Sequence, residues 1–284
     1  MAKKTFFPQT RCQSDFPLLT EKEIFHRKSF SRQYALYAQS KNTEFHDCVF
    51  EFCEFSFSLW ENVLFHNCLF LHCSLEGAKF LHGKWENCKI QSCDILKTQW
   101  ERCHFQNCIL KKSNMPGSWF SHTSFISSHW KEIDLEQSHF GYLTLENTKV
   151  AHSNLKNTQW EACHFKKVFW KNLQMGYCSF SNTFFDHICI HSSDLFYARF
   201  YECKAESLCT SKVDTTNWQN LSYSFPSCQP LSIFSRLLGV LPFFFSPSSE
   251  QEEKPFLLYP FLGKALFCFL AGNFVIRICK ILGI

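Results

Sequence analysis

From Phe45 to Phe200 every fifth residue of the chain is large and apolar: Phe, Trp, Leu, Ile, Met or Val, without a break. Two residues before each of these centres stands something small or short, such as Cys48, Cys53, Ser58, Val63, Cys68, Cys73, Ala78 and Gly83. The other three positions of each five are mostly polar. An α-helix repeats every 3.6 residues and a strand every two, so neither produces a period of five. Self-similarity at a fixed period instead predicts a repeat architecture built from stacked units.

A second period lies inside the first. Sorted by twenty, the centres fall into four columns. One is aromatic throughout: Trp60, Phe80, Trp100, Phe120, Phe140, Trp160, Phe180 and Phe200. Another is aliphatic after its first member: Phe55, Leu75, Ile95, Met115, Leu135, Leu155, Met175 and Leu195. The residue before the aliphatic column is Asp94, Asn114, Asp134, Asn154 and Asp194, with Gln174 as the exception. A period of five alone cannot segregate residues in this way. Coils of four pentads do, because like residues then lie above like and share one turn chemistry.

The units Ser113-Asn114-Met115, Ile133-Asp134-Leu135, Ser153-Asn154-Leu155 and Ser193-Asp194-Leu195 resemble those of the bacterial pentapeptide-repeat family, roughly A-(D/N)-L-x-x. The chain departs from that pattern in having Phe or Trp at the centre more often than Leu. The resemblance implies an all-β solenoid: a right-handed quadrilateral β-helix, of about eight coils over the strict register. Coils spaced at the strand separation of ~4.8 Å would make a rod on the order of 40 Å long. The centre and the small residue two before it point inward. The expected core includes Phe45, Phe50, Phe55, Trp60, Trp85, Trp100, Phe120, Phe140, Trp160, Phe180 and Phe200.

The chain divides into an N-terminal segment (1–40), the repeat region (41–220) and a C-terminal tail (221–284). In the first, Thr20-Glu21-Lys22-Glu23 has the form of a capping box, with Ile24, Phe25, Phe30, Tyr34, Leu36 and Tyr37 as an apolar side. This predicts a helix over 20–40 that lids the first coil. In the tail, Pro226–Pro230 reads as a linker, Leu231–Phe245 is apolar but interrupted by Arg236 and Pro242, and Glu250-Gln251-Glu252-Glu253 is an acidic turn. Phe256 to Ile276 then runs for 21 residues with one charge, Lys264. A run of that length is a transmembrane candidate. Its other reading is a capping and dimerising helix, which the family resemblance implies. If both tail segments form a hairpin, Arg236, Arg277 and Lys280 lie on the solenoid side, which the positive-inside rule makes cytoplasmic. The N-terminus has no apolar stretch long enough for a secretory signal peptide; export by a specialised system stays open.

Seventeen cysteines raise the question of disulfides or zinc. Eleven of them (48, 53, 68, 73, 88, 93, 103, 108, 163, 178 and 203) occupy the inward small slot. No C-x-x-C pair occurs, so they read as small buried hydrophobes. The net charge of +4 is carried by the ends, and residues 41–220 hold 17 Lys+Arg against 19 Asp+Glu. That near-neutral balance predicts an ordinary solvated surface without a basic stripe, and no nucleic-acid partner. It also opposes the nucleic-acid mimicry that quinolone-resistance members of the family direct at type II topoisomerases, which needs an acidic face.

Candidate chemistry is sparse. His46 and His66 should stack on neighbouring coils with Glu86 next in the column, which is too few ligands for a metal. An unbroken register leaves no loop from which to build a pocket. The expectation is therefore a non-enzymatic interaction or scaffold protein, without cofactor or metal, associated with a membrane through its tail; a purely structural spacer is a further reading. Outward aromatic residues late in the rod (Tyr177, Phe184, Phe196, Tyr197 and Tyr201) form a candidate interaction surface that could receive Leu231–Leu241.

Overall fold

A computed structural model describes residues 19–214 and 219–220. Strands of about three residues recur at three of every four pentads, and each pairs in parallel with the strand twenty residues on. In one coil they are Gln39–Lys41, Glu44–His46 and Val49–Glu51. The register is a strict twenty: Trp60 pairs with Phe80, Phe80 with Trp100, and Trp100 with Phe120. Three continuous parallel sheets result, of eleven, ten and ten strands. They are called here the first, second and third walls, in the order the coil visits them.

The fourth wall is different. Its pairing is reduced to a column of single bridges, Tyr34 to Glu54 to Ser74 to Asp94 and on to Asp214. After each bridge the chain closes a tight turn, as in Ser58 N–H to Phe55 C=O at 3.2 Å and Ala198 N–H to Leu195 C=O at 2.9 Å. The Asp/Asn column is the reason. Asp134, Asn154 and Asp194 each accept, through Oδ1, the N–H of the residue two further on, at 3.0, 3.2 and 2.8 Å. This is the Asx-turn bond, and it competes with the strand ladder. Glu54 does the same for Ser56 N–H at 3.2 Å.

The inward positions are those expected. None of the eleven expected core aromatics is more than 4% exposed. Rings stack from coil to coil, as in Phe80 on Trp100 at 4.2 Å and Phe140 on Trp160 at 3.8 Å between centroids. Rings on adjoining walls of one coil meet edge to face, as in Phe80 against Trp85 at 5.5 Å and 68°. Aromatic quadrupoles prefer both arrangements over an eclipsed sandwich.

Each corner is made by a residue in the left-handed region. From Lys22 to Glu202 nearly every fifth residue has φ between about 47° and 64°. That conformation costs a non-glycine residue roughly 1–2 kcal/mol. Burial of one large side chain per pentad returns roughly 1.5–3 kcal/mol, so burial wins at each repeat. Asn tolerates the conformation best among side-chain-bearing residues, and Asn42, Asn62, Asn67, Asn87, Asn107, Asn147 and Asn157 stand at corners. Stacked corner amides also bond along the rod, Asn62 Nδ2 to Asn42 Oδ1 at 3.1 Å and Asn107 Nδ2 to Asn87 Oδ1 at 3.2 Å.

The expected helix over 20–40 is not formed. Residues Leu19–Glu21, Ile24–His26, Ser29–Ser31 and Gln39–Lys41 are strands, and the described residues contain no helix. The pentad simply continues backwards through Phe25, Phe30, Ala35 and Ser40. Phe25 stacks on Phe45 and Phe30 on Phe50, both at 5.0 Å. The small centres Ala35 and Ser40 hid this extension from a search for large apolar residues. Stacking a coil on a preformed solenoid end buries Phe25 and Phe30, which the capping box alone could not do. Residues 19–40 thus form a further coil, and the stacking continues past Phe200 to Asp214, so the solenoid exceeds the eight coils expected. The tail lies outside the described residues.

Candidate interaction surface

Function must reside in what the walls present outward, because the interior is filled. The small inward slot is chemically uniform despite its mixed residues. Cys68 Sγ donates to Phe45 C=O at 3.2 Å and His66 C=O at 3.4 Å. Thr148 Oγ1 makes the same pair of bonds, to Phe125 C=O at 3.1 Å and Glu146 C=O at 3.0 Å. Cys, Ser and Thr are therefore interchangeable short donors at the corner, a role beyond simple filling. The described cysteines are free thiols. Burial pushes the Cys103 and Cys163 thiols up to about 12 and raises Cys178 further. A buried protonated thiol is a poor nucleophile and a poor metal ligand.

The second wall carries the expected imidazole column, extended by one. His26 stacks on His46 at 4.9 Å, and His46 lies 5.8 Å from His66. Glu44 is 2.9 Å from His46, and His66 is 3.2 Å from Glu86. His26 and His46 lie face to face, whereas His66 is tilted 49° from His46. Among the described residues no group of three His, Cys, Asp or Glu could hold a metal ion.

The late aromatic residues are not one patch. Tyr177, Phe196 and Tyr197 do cluster beside the fourth wall: Tyr177 stacks on Tyr197 at 5.3 Å, and Phe196 meets Tyr197 edge-on at 4.4 Å. Phe184 is on the second wall, 5.3 Å from His164. Tyr201 is on the first wall, half exposed. A pentad register cannot distinguish walls; only position within twenty can.

A matching cluster lies at the other end. Tyr34, Leu36, Tyr37 and Phe57 are exposed on and beside the fourth wall, Tyr37 to 69%, and Tyr37 stacks on Phe57 at 5.5 Å. The helix reading had assigned three of these to a buried side. The end of the core nearest the tail is lined by Trp170, Leu195, Phe200, Leu208 and Val213.

The walls differ in charge, which the near-neutral total conceals. The outward positions of the first wall mix Glu61, Glu101 and Glu161 with Lys41, Lys79 and Arg199, and those of the second mix Glu44, Glu86, Glu146 and Asp186 with Lys84, Lys166 and Lys204. The third wall is not mixed. Its outward positions carry Lys89, Lys111, Lys131, Lys149 and Lys171, and its one carboxylate is Glu51 at the N-terminal end. Among the lysines stand Ile109 and Phe169, and Leu69 and Leu71 occupy the coil before Lys89. Glu132, at the corner beside the lysine rows, is 3.4 Å from Lys131 and 3.9 Å from Lys112. Two imidazoles report the local potential. Burial, then Lys149 and Lys131, hold His129 below the ordinary range, and burial with Lys171 and Lys212 does so for His191. The expected absence of a basic stripe is thus corrected. Sorting outward residues by twenty, as was done for the centres, would have found it.

Residues 98–175 match the family model of the pentapeptide repeat region. This stretch of the solenoid is thus similar to a pentapeptide repeat region. No curated protein matches the chain. Similar solved structures include HetL, a pentapeptide-repeat protein involved in heterocyst differentiation regulation from the cyanobacterium Nostoc sp. strain PCC 7120, at 10% identity, covering 70% of this chain and 88% of that one with a TM-score of 0.48. QnrB1, a plasmid-mediated fluoroquinolone resistance protein, is 12% identical, covering 77% of this chain and 99% of its own with a TM-score of 0.28. Rfr23, a pentapeptide-repeat protein from the cyanobacterium Cyanothece 51142, is 10% identical, covering 44% and 90% with a TM-score of 0.21. At these identities the likeness concerns the fold alone.

Proposed function

We propose that this pentapeptide-repeat protein is a non-enzymatic interaction rod held at a membrane by residues 256–276. The observation that carries the first half is the unbroken coil register from Leu19 to Asp214. Every corner is a single tight turn, so no loop departs from the walls to fold over a substrate. What such a rod offers is an extended surface of outward side chains in fixed register.

The second half rests on sequence. Residues 256–276 are apolar on nearly every side, and such a segment must be buried in protein or lipid. Placing Lys264 near the bilayer centre would cost ~2.5–3.5 kcal/mol, less if it snorkels. This is small against the burial of some twenty apolar residues. Mimicry of nucleic acid fits the walls less well, because the third wall is basic and the acids elsewhere are spread over three faces.

The test is fractionation of the full chain against chains ending at 255 and at 225. Full-length protein in the membrane pellet, with the 1–255 chain soluble and folded, is the expected result. A full-length protein that stays soluble as a dimer, with a 1–255 chain that aggregates, would make the tail a capping and dimerising element and end the membrane reading.

A further inference from the structure

We propose that the third wall is itself a lipid-contacting surface, which lies flat on an anionic bilayer and sets the orientation of the rod.

The wall has three properties that fit this occupant together. It is regular, because its strands are in strict parallel register and the outward side chains of successive coils stand in rows. It is basic along a continuous stretch, with lysines on five successive coils from Lys89 to Lys171 at a spacing of ~4.8 Å per coil. Apolar side chains interrupt the lysine rows, and Ile109 is 43% exposed among them. Lysines that reach for headgroups beside short apolar side chains that enter the acyl boundary are the composition of an interfacial surface.

Neither other wall has it. The first and second alternate carboxylates with their lysines, as in Lys41 with Glu61 at 3.1 Å and Lys166 with Glu146 at 3.0 Å.

Nucleic acid is the competing polyanion, and the wall suits it less. Single strands are held by successive aromatic platforms on which bases stack, and the lysine rows contain only Phe169. A duplex is convex and would meet the wall along a line, leaving outer rows unused. A bilayer meets all rows at once.

The proposal does not depend on the tail. If 256–276 tethers the rod, the wall decides which side faces the lipid; without the tether, the wall alone would give a weaker, charge-dependent attachment.

The experiment uses the full chain and sedimentation with vesicles of phosphatidylcholine alone or with phosphatidylserine added. The wall variant is Lys111→Glu with Lys131→Glu and Lys149→Glu. The control, matched in charge, is Lys79→Glu with Lys84→Glu and Lys204→Glu on the other walls. A basic residue near an anionic surface contributes about 1 kcal/mol, which is about fivefold in affinity. The wild type should therefore prefer phosphatidylserine vesicles, lose that preference at high salt, and lose on the order of 100-fold in the wall variant. The control should lose much less. Should the wall variant not fold, the salt dependence of the wild type and its preference for anionic vesicles still decide.

Equal binding to both vesicle types, or equal losses in wall variant and control, would overturn the proposal while leaving the tail reading intact. Binding to anionic vesicles alone would support the wall and remove the tail. Tighter, lysine-dependent binding of duplex DNA than of anionic vesicles would replace the lipid with nucleic acid.

Discussion

The indole Nε1–H of Trp100 donates to Thr98 Oγ1 at 2.8 Å, and both groups are fully buried. The same bond joins Trp60 to Ser58 at 2.6 Å and Trp160 to Thr158 at 2.9 Å. A hydroxyl two residues before a first-wall tryptophan thus satisfies the indole without breaking the inward pattern. Trp85 follows Gly83 in the same spacing, and its Nε1 has no partner. Thr98→Val should therefore cost about 1–3 kcal/mol by orphaning the Trp100 indole. Because Thr98 Oγ1 also bonds Ile95 C=O and Ser118 Oγ, the value should lie toward the upper end. Chemical denaturation of the variant measures it; a loss under ~0.5 kcal/mol would show that the hydroxyl is dispensable.

Trp100 and Glu101 test the inward and outward assignment directly. Trp100 is 1% exposed and stacked between Phe80 and Phe120, whereas Glu101 faces solvent. Trp100→Ala should destabilise by ~3–5 kcal/mol and Glu101→Ala by less than ~0.5 kcal/mol. Similar denaturation midpoints for the two variants would contradict the register.

Gly77 sits at a corner with φ of +63°, and a Cβ there would lie 2.7 Å from the exposed ring of Phe57. Gly117 has φ of +64°, and a Cβ there would come no nearer than 3.6 Å to a side-chain atom of Lys97. Gly117→Ala should cost the backbone strain alone, roughly 1–2 kcal/mol. Gly77→Ala should cost more, by the displacement of Phe57. Combining Gly77→Ala with Phe57→Ala should restore the cost to that of Gly117→Ala, and a double variant no better than the single would refute the contact.

The inward thiols should be reduced and slow to react. Cys103, Cys163 and Cys178 are buried with raised thiols, while Cys189 and Cys209 are only partly buried. In native alkylation followed by mass spectrometry, Cys189 and Cys209 should label well before Cys103, Cys163 and Cys178. Early labelling of the latter three, or disulfides among them, would overturn the assignment.

His129 provides a pH test of the third wall. Its folded value lies below the ordinary 6.5, chiefly through burial and then through Lys149 and Lys131. The unfolded chain then binds the proton more readily than the fold. The contribution to stability is present above the unfolded value and is lost as pH falls through the folded one. NMR titration should place the His129 midpoint below 6.5, and Lys149→Met should move it upward. An unchanged midpoint in that variant would mean that burial alone acts.

Much of the solenoid was legible because its period is a property of sequence. Phe45 to Phe200 named the architecture, and the Asp/Asn column before Leu135 and Leu155 located the wall of turns. The first coil was not legible. Ala35 and Ser40 break the apolar register, and Thr20–Glu23 offers a local helix signal that loses to the stacking of Phe25 on Phe45. That contact lies twenty residues away, beyond the reach of a local rule. Of the five outward aromatics named together as a candidate surface, Tyr177, Phe196 and Tyr197 meet, but Phe184 and Tyr201 face other walls.

The sequence by itself determined the inside of this protein. A side chain at every fifth position is either large and apolar or it is not, and that choice commits it to the core whatever the wall. The outside was decided by the tertiary structure. Lys111 and Lys131 are neighbours only because a coil closes after twenty residues, and Glu101, two pentads before Lys111, lies on another wall. Net charge sums along the chain and so cancels; a wall collects every twentieth residue, and there the lysines add.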